Sequence, residues 1–313
     1  MESLNGYTGI DIKSGDLTLF AYYPIDSWNY DSESGSSLTI SGGTINATGG
    51  YTGIYSGDHL TISGGTIHTS GNNGYGIYAH TDLTITGGDI TANGIPDGIY
   101  ARSGAITIEG GTVNATGTGH GIYAQYGAIT IEGGSVTAEG DNYGLYAYSG
   151  AITISGGTVD AAGGNSFGIY AYDTLTISGG DVTASSDHYF GIYAYHTLTV
   201  TGGSVTATGK EDGIVAEDIE LGPRVTVRTG GTVRVASLYY SDGYIKTVVE
   251  NGQTKYFYNS TELEVGDCPA VFSDTEDLHI STFASGDDIY YDSWFSTFFN
   301  ASPGGRARHQ LCK

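Results

Sequence analysis

Tyrosine is the residue of this chain best suited to engaging a ligand, and it occupies 26 of 313 positions. Much of it recurs at fixed spacing. Tyr78, Tyr100, Tyr123, Tyr146, Tyr170 and Tyr193 each close a Gly-Ile-Tyr or Gly-Leu-Tyr step. Two residues further on stand His80, Arg102, Gln125, Tyr148, Tyr172 and Tyr195; just before the glycine stand Tyr75, Asp97, His120, Tyr143, Phe167 and Phe190. The last three of these units bring together nine aromatics, Tyr143, Tyr146, Tyr148, Phe167, Tyr170, Tyr172, Phe190, Tyr193 and Tyr195, which are the candidate ligand-binding residues. A phenol offers an apolar face to a sugar ring and a hydroxyl to its edge. Identical rings on successive units also stabilise one another by offset stacking, so a purely structural ladder is the competing reading. An exposed aromatic strip of this size calls for a partner.

The elements that must position these rings follow from a repeat. Paired glycines begin at Gly42, Gly64, Gly87, Gly110, Gly133, Gly156, Gly179 and Gly202, a beat of 23 residues after a first step of 22. Each unit holds three short alternating segments bounded by glycine, as in Ile129-Thr130-Ile131, Ser135-Val136-Thr137-Ala138 and Gly144-Leu145-Tyr146-Ala147. Period-two alternation with β-branched residues means strands. Three strands per unit with no helical pattern predict an all-β fold, a right-handed parallel β-helix of about nine coils that bury their apolar residues against their neighbours. Alternation sends Leu60 and Ile62, Ile67, and Ile77 and Ala79, with their counterparts in every coil, into the core. The tyrosines then point outward. The expected organisation is residues 1–37 as a partial coil, an insertion and a cap, and 38–216 as regular coils. A last coil and β-rich cap follow over 217–300, where Asn251-Gly252 signals a hairpin. Residues 301–313 read as a flexible tail.

Other chemistries are thinner. The first strand presents Thr61, Thr84, Thr107, Thr130, Thr153, Thr176 and Thr199, a flat rank of the kind ice-binding solenoids use, interrupted at its border by Glu109 and Glu132. Asp89, Asp141, Asp160, Asp173, Asp181 and Asp187 fall on loops and corners, so Ca2+ is an option, but no dense set of six to eight oxygens is legible and no ligands can be named. Gly119-His120-Gly121 imitates a motif of pectin-hydrolysing β-helices, yet its register makes His120 a variable loop residue. No carboxylate pair accompanies it. A lyase would need a base and a cation for a uronate, and Arg102 stands alone in the repeats. The reading is therefore of a protein that is not an enzyme, with no catalytic residues and no cofactor.

Charge narrows the partners. The chain carries 34 acidic against 11 basic residues, a formal net charge of -23. Between Ser36 and Gly209 the only Lys or Arg is Arg102. Such a surface cannot neutralise a phosphate backbone, which argues against nucleic acid, and no apolar run is long enough for membrane insertion. Met1-Glu2-Ser3-Leu4 does not open a signal peptide, so the chain reads as a fragment of a longer exported protein. Cys268 and Cys312, both outside the repeats, leave a pair or free thiols open. Composition rich in Gly, Thr, Ser, Tyr and Asn points to a secreted or bacterial cell-surface module.

The combination of Asp-Gly-Ile, Leu-Thr-Ile-Thr-Gly-Gly and Thr-Val-Asn-Ala-Thr-Gly resembles the β-helix repeats of clostridial and other gut Firmicute carbohydrate-binding surface proteins over roughly residues 36–216. That resemblance implies a pectate-lyase-like fold without catalysis, and binding of plant-type polysaccharides, in some members with calcium. The Gly-Ile-Tyr-Ala column departs from related repeats, which often carry Lys or Ser there. The expected function is an extracellular polysaccharide- or glycan-binding or adhesion module. The alternative is a solenoid that binds a host or partner protein, followed by an ice-binding solenoid or a polysaccharide lyase or hydrolase.

Overall fold

A computed structural model describes residues 3–6, 9–29 and 34–222, and beyond them the strand segments 226–229, 232–239, 246–250, 253–258, 261–263, 270–273, 280–282 and 308–310. The molecule is an all-β parallel solenoid of about nine turns of about 23 residues. Among the described residues there is no helix, and so none long and apolar enough to cross a membrane.

One coil shows the plan. A first strand, Leu60–Ile62, pairs in parallel with Leu38–Ile40 below and Leu83–Ile85 above. A second, Thr66–Gly71, lies between Thr44–Gly49 and Asp89–Gly94. A third, Ile77–Ala79, sits between Ile54–Ser56 and Ile99–Ala101. The second strands stack into one sheet of 12 strands; the first and third strands belong to a single 20-stranded sheet. They fuse where a third strand runs on into the first strand of the next coil, in Phe190–Val200 and Asp212–Leu221.

Register is residue for residue: Ile67 over Ile45, Tyr78 over Tyr55, Thr84 over Thr61. The inward columns therefore superpose like with like. Ile62, Ile67, Ile77 and Ala79 and their counterparts from Leu38 on are buried, in one continuous core that runs from Ile10 to Val227. Burying an aliphatic side chain of that size contributes about 1.5–3 kcal/mol, and every coil repeats the set. The corner glycines answer two separate demands. The second of each pair has φ between 80° and 102°, a region costly for a side chain. The first approaches the coil below so closely that a Cβ on Gly133 would lie 2.6 Å from the Glu109 carbonyl oxygen.

Both ends depart from regularity. Ile10–Ile12, Asp16–Ala21 and Ile25–Asp26 pair in register with the first, second and third strands of the next coil, so this stretch supplies all three faces of a turn. The chain then leaves the solenoid and returns through Trp28–Asn29 and Ser34–Gly35, which pair antiparallel. Buried Ser27 fastens this excursion: its carbonyl accepts the Ser36 N–H at 2.9 Å and its Oγ accepts the Gly57 N–H at 3.0 Å. At the other end, Lys246–Glu250 and Gln253–Tyr258 form an antiparallel hairpin where Asn251-Gly252 signals one. Within 301–313, read from sequence as a flexible tail, Arg308–Gln310 pairs antiparallel with Ala270–Phe272. Cys268 and Cys312 lie outside the described residues.

Candidate functional site

The third strand carries the rings because its alternation leaves no other place for them. Ile and Ala point inward and are fully buried, so the tyrosine between them points away from the core. Stacking at the inter-strand spacing of about 4.8 Å then brings each ring against the next. From Tyr55 to Tyr193 the column is unbroken, with centroids 4.4 Å apart at Tyr55–Tyr78, 5.1 Å at Tyr100–Tyr123, 4.7 Å at Tyr123–Tyr146 and 5.3 Å at Tyr170–Tyr193. Each such contact adds about 0.5–1.5 kcal/mol beyond the area buried.

The column is not equally open along its length. Tyr78 and Tyr100 are only 7% exposed, although both project from the outer side of the sheet. The reason lies in their neighbours. Trp28, delivered by the excursion after Ile25–Asp26, packs edge-on to Tyr55 at 6.3 Å and against His80 at 5.5 Å. Tyr78 also has His80 Nδ1 within 3.3 Å of its hydroxyl. The guanidinium of Arg102 hydrogen-bonds with Tyr78, which holds it above its ordinary pKa. Tyr75 covers the face of Tyr100 at 4.5 Å and 10°, and the Tyr100 hydroxyl donates to Gln125 Oε1. Outward direction thus does not mean exposure in the first coils. The insertion and its aromatic partners close that stretch over.

Coils five to seven, the coils that begin at Ile129, Ile152 and Leu175, differ. Tyr146, Tyr170 and Tyr193 are half-buried, as are Tyr143, Phe167 and Phe190 on one side of them. On the other side Tyr148, Tyr172 and Tyr195 are 48%, 44% and 44% exposed. The nine rings do come together: Tyr143 lies 4.5 Å from Tyr146, Phe167 is 5.6 Å from Tyr170, and Tyr146 meets Tyr148 at 6.0 Å. Inner and outer rings cross at 86° in coil five and 73° in coil seven, so two differently tilted aromatic planes adjoin along the axis. In the outer column Tyr172 and Tyr195 are parallel within 8° at 5.0 Å. Parallel rings touch at about 3.5–4 Å between planes. A 5.0 Å separation therefore means overlapping tiles, each leaving a strip of face and its hydroxyl edge open.

Burial keeps hydroxyls of the inner column neutral. Burial first, and then the neighbouring phenols, push the Tyr100 and Tyr170 hydroxyls up to about 12, and push those of Tyr123 and Tyr146 up as well. They remain both donors and acceptors across the ordinary pH range.

His120 is not the loop residue its register suggests. It opens the strand His120–Ala124, and its ring replaces a tyrosine in the column, stacked on Tyr143 at 5.2 Å and 16°. Asp97, one coil below and 3% exposed at its side chain, fixes it: Oδ1 lies 2.6 Å from Nδ1 and accepts the His120 N–H at 3.0 Å. The 23-residue separation of Asp97 and His120 was the available signal for this pair. Sequence reasoning also missed Trp28, in a segment without repeats, and Tyr189, 45% exposed and edge-on to Phe167 at 6.3 Å. On the first-strand face Thr61 and its counterparts are half-buried, with Glu109 and Glu132 exposed beside them. Among the described residues no three His, Cys, Asp or Glu side chains gather to hold a metal ion.

No curated protein and no solved structure matches the chain. A family model described as "Carbohydrate-binding domain-containing protein" matches residues 2–117 and again 52–237, the second match alone spanning more than half of the sequence. The repeated coils and their aromatic face both lie inside those limits, and the chain belongs to this family of carbohydrate-binding domain-containing proteins.

Proposed function

We propose that this protein is a non-catalytic glycan-binding module, displayed outside the cell, whose binding surface is the open aromatic face of coils five to seven. One observation carries the reading: within a ladder of otherwise repeated rings, the outer column Tyr148, Tyr172 and Tyr195 is left close to half exposed. A soluble protein gains nothing in stability from leaving large rings in water, and an exposed aromatic patch marks an interaction surface. Tiled rings with hydroxyl edges suit a ligand that is itself apolar on its faces and rimmed with hydroxyls. Membership of the carbohydrate-binding family agrees with that chemistry. The His120–Asp97 pair does not suggest catalysis, because the imidazole is stacked on Tyr143 and packed against Tyr123 and Tyr146, and Asp97 is engaged in holding it.

The test is retention on a panel of immobilised polysaccharides, comparing the wild type with the combined variant Tyr148→Ala, Tyr172→Ala, Tyr195→Ala. The wild type is expected to be retained on at least one glycan, and the variant to elute unretained with a melting temperature within a few degrees of the wild type. Retention of the variant at wild-type strength would remove this face from the binding surface. If the wild type is retained on none, the glycan-binding reading itself fails.

A further inference from the structure

The charge and geometry around the open rings narrow the class of ligand, an inference that rests on the glycan-binding reading. Asp173 directly follows Tyr172 and is exposed. Asp141 and Asp187 are exposed in the loops that lead into Tyr143 and Phe190. Glu217 is exposed beside the last ring, its carboxylate 3.1 Å from His196 Nδ1, and His196 packs edge-on to Tyr195 at 4.9 Å. No lysine or arginine occurs between Ser103 and Gly209. Of the two Lys or Arg residues within 38–216, Arg102 stands exposed at the closed end of the ladder beside Tyr78, and Lys210 is exposed in the loop after the last open ring. A ligand carrying a carboxylate or sulfate on each sugar would meet several like charges within a Debye length of about 8–10 Å, which outnumber Lys210, the lysine stacked one coil beyond Asp187. A like pair costs about 1 kcal/mol at 4 Å in water, and a polymer would multiply that over its length.

The column also sets a length and a direction. Its exposed rings follow the solenoid axis at 6.4 Å and 5.0 Å, and at the same position Gln125 precedes them and Glu217 follows. Across the sheet the neighbouring rings are half-buried. We propose that the occupant is an uncharged, unbranched glycan of flat, all-equatorial linkage, lying along the axis with one sugar per coil over Tyr148, Tyr172 and Tyr195. A sugar unit in such a ribbon advances by about one strand spacing of 4.8 Å, so sugars and rings stay in phase. A coiled, α-linked chain loses that phase after one unit.

Calorimetric titration decides this, using uncharged β-1,4-linked oligomers of glucose, mannose and xylose of increasing length. The comparators are the same glucose and mannose chains oxidised to carboxylates at C6, and an α-1,4-linked glucose oligomer of matched length. At least one uncharged β-linked series is expected to bind, with affinity rising until about four units, one beyond the three open rings, and flat thereafter. The carboxylated form of a chain that binds is expected to be at least tenfold weaker at low salt, with the gap closing as salt is added. Equal or tighter binding of the carboxylated chain, with or without added calcium, overturns the uncharged class; equal binding of the α-linked oligomer overturns the ribbon and its direction. Absence of binding by all the uncharged β-linked chains also overturns it. In each of these cases glycan retention that is lost in the Tyr148→Ala, Tyr172→Ala, Tyr195→Ala variant leaves the glycan-binding reading standing, so the two failures are distinguishable.

Discussion

The ladder has two halves built from the same strand, the same register and nearly the same residues. At Tyr78 and Tyr100 the rings are closed over by neighbours such as His80, Tyr75 and Gln125, and they behave as core residues on the outside of the sheet. From Tyr146 to Tyr195 the inner rings are half-buried and a second column, Tyr148, Tyr172 and Tyr195, stands open. A tyrosine column is therefore neither structural nor functional by its sequence. What lies over it decides.

The largest effect that would break this contrast is at the closed end. Tyr100→Ala removes a buried aromatic and strands the Gln125 side chain, at a cost of about 3–5 kcal/mol. At roughly 2–4 °C per kcal/mol for a chain of this size, differential scanning calorimetry is expected to show a loss on the order of 10 °C. Glycan affinity of the folded variant should stay near the wild type. Next comes the open end: Tyr172→Ala removes the middle ring of the exposed column, and affinity by calorimetry should fall about 30-fold, the scale of a 2 kcal/mol hot spot. Its melting temperature should move by only a few degrees.

Smaller effects sharpen the same division. Trp28→Ala uncovers Tyr55 and His80, and limited proteolysis is expected to cut faster between 27 and 37 while ligand affinity is unchanged. Faster cutting together with lost affinity would mean that the insertion reaches the binding face. The smallest is the response to alkali. The Tyr100 and Tyr170 hydroxyls are held up to about 12, chiefly by burial, against about 10 in the unfolded chain. The folded state therefore holds more protons between those values. Their contribution is present in full below about pH 10 and lost as pH rises through about 12. Melting temperature should decline across that window, and phenolate absorbance should appear late for these rings.

Much of this was legible in the residues, for a physical reason. A stacked repeat writes its core in the sequence: Ile62, Ile85 and Ile108 occupy one column because each coil's neighbour is the next copy of itself. The glycine pairs mark corners that only glycine tolerates. The outward direction of Tyr146, Tyr170 and Tyr193 followed from the same alternation. Which rings are covered did not follow, because the cover comes from positions whose residue type varies between coils, Tyr75, His80 and Gln125, and from Trp28 behind His80, in a stretch with no counterpart in the repeat. For the same reason the outer column, two residues further along, emerged as the more open one only in three dimensions. His120 was misplaced because its type breaks the column, while its ring continues it.

The most direct test is a nuclear magnetic resonance titration of protein carrying ring-labelled tyrosine, with the glycan retained in the binding panel as ligand. The ring signals of Tyr148, Tyr172 and Tyr195, assigned by single Tyr→Phe variants, are predicted to shift with saturation while those of Tyr78 and Tyr100 stay in place. Shifts confined to the closed rings, or spread equally along the whole ladder, would contradict the division of the solenoid into a covered, structural half and an open, binding one.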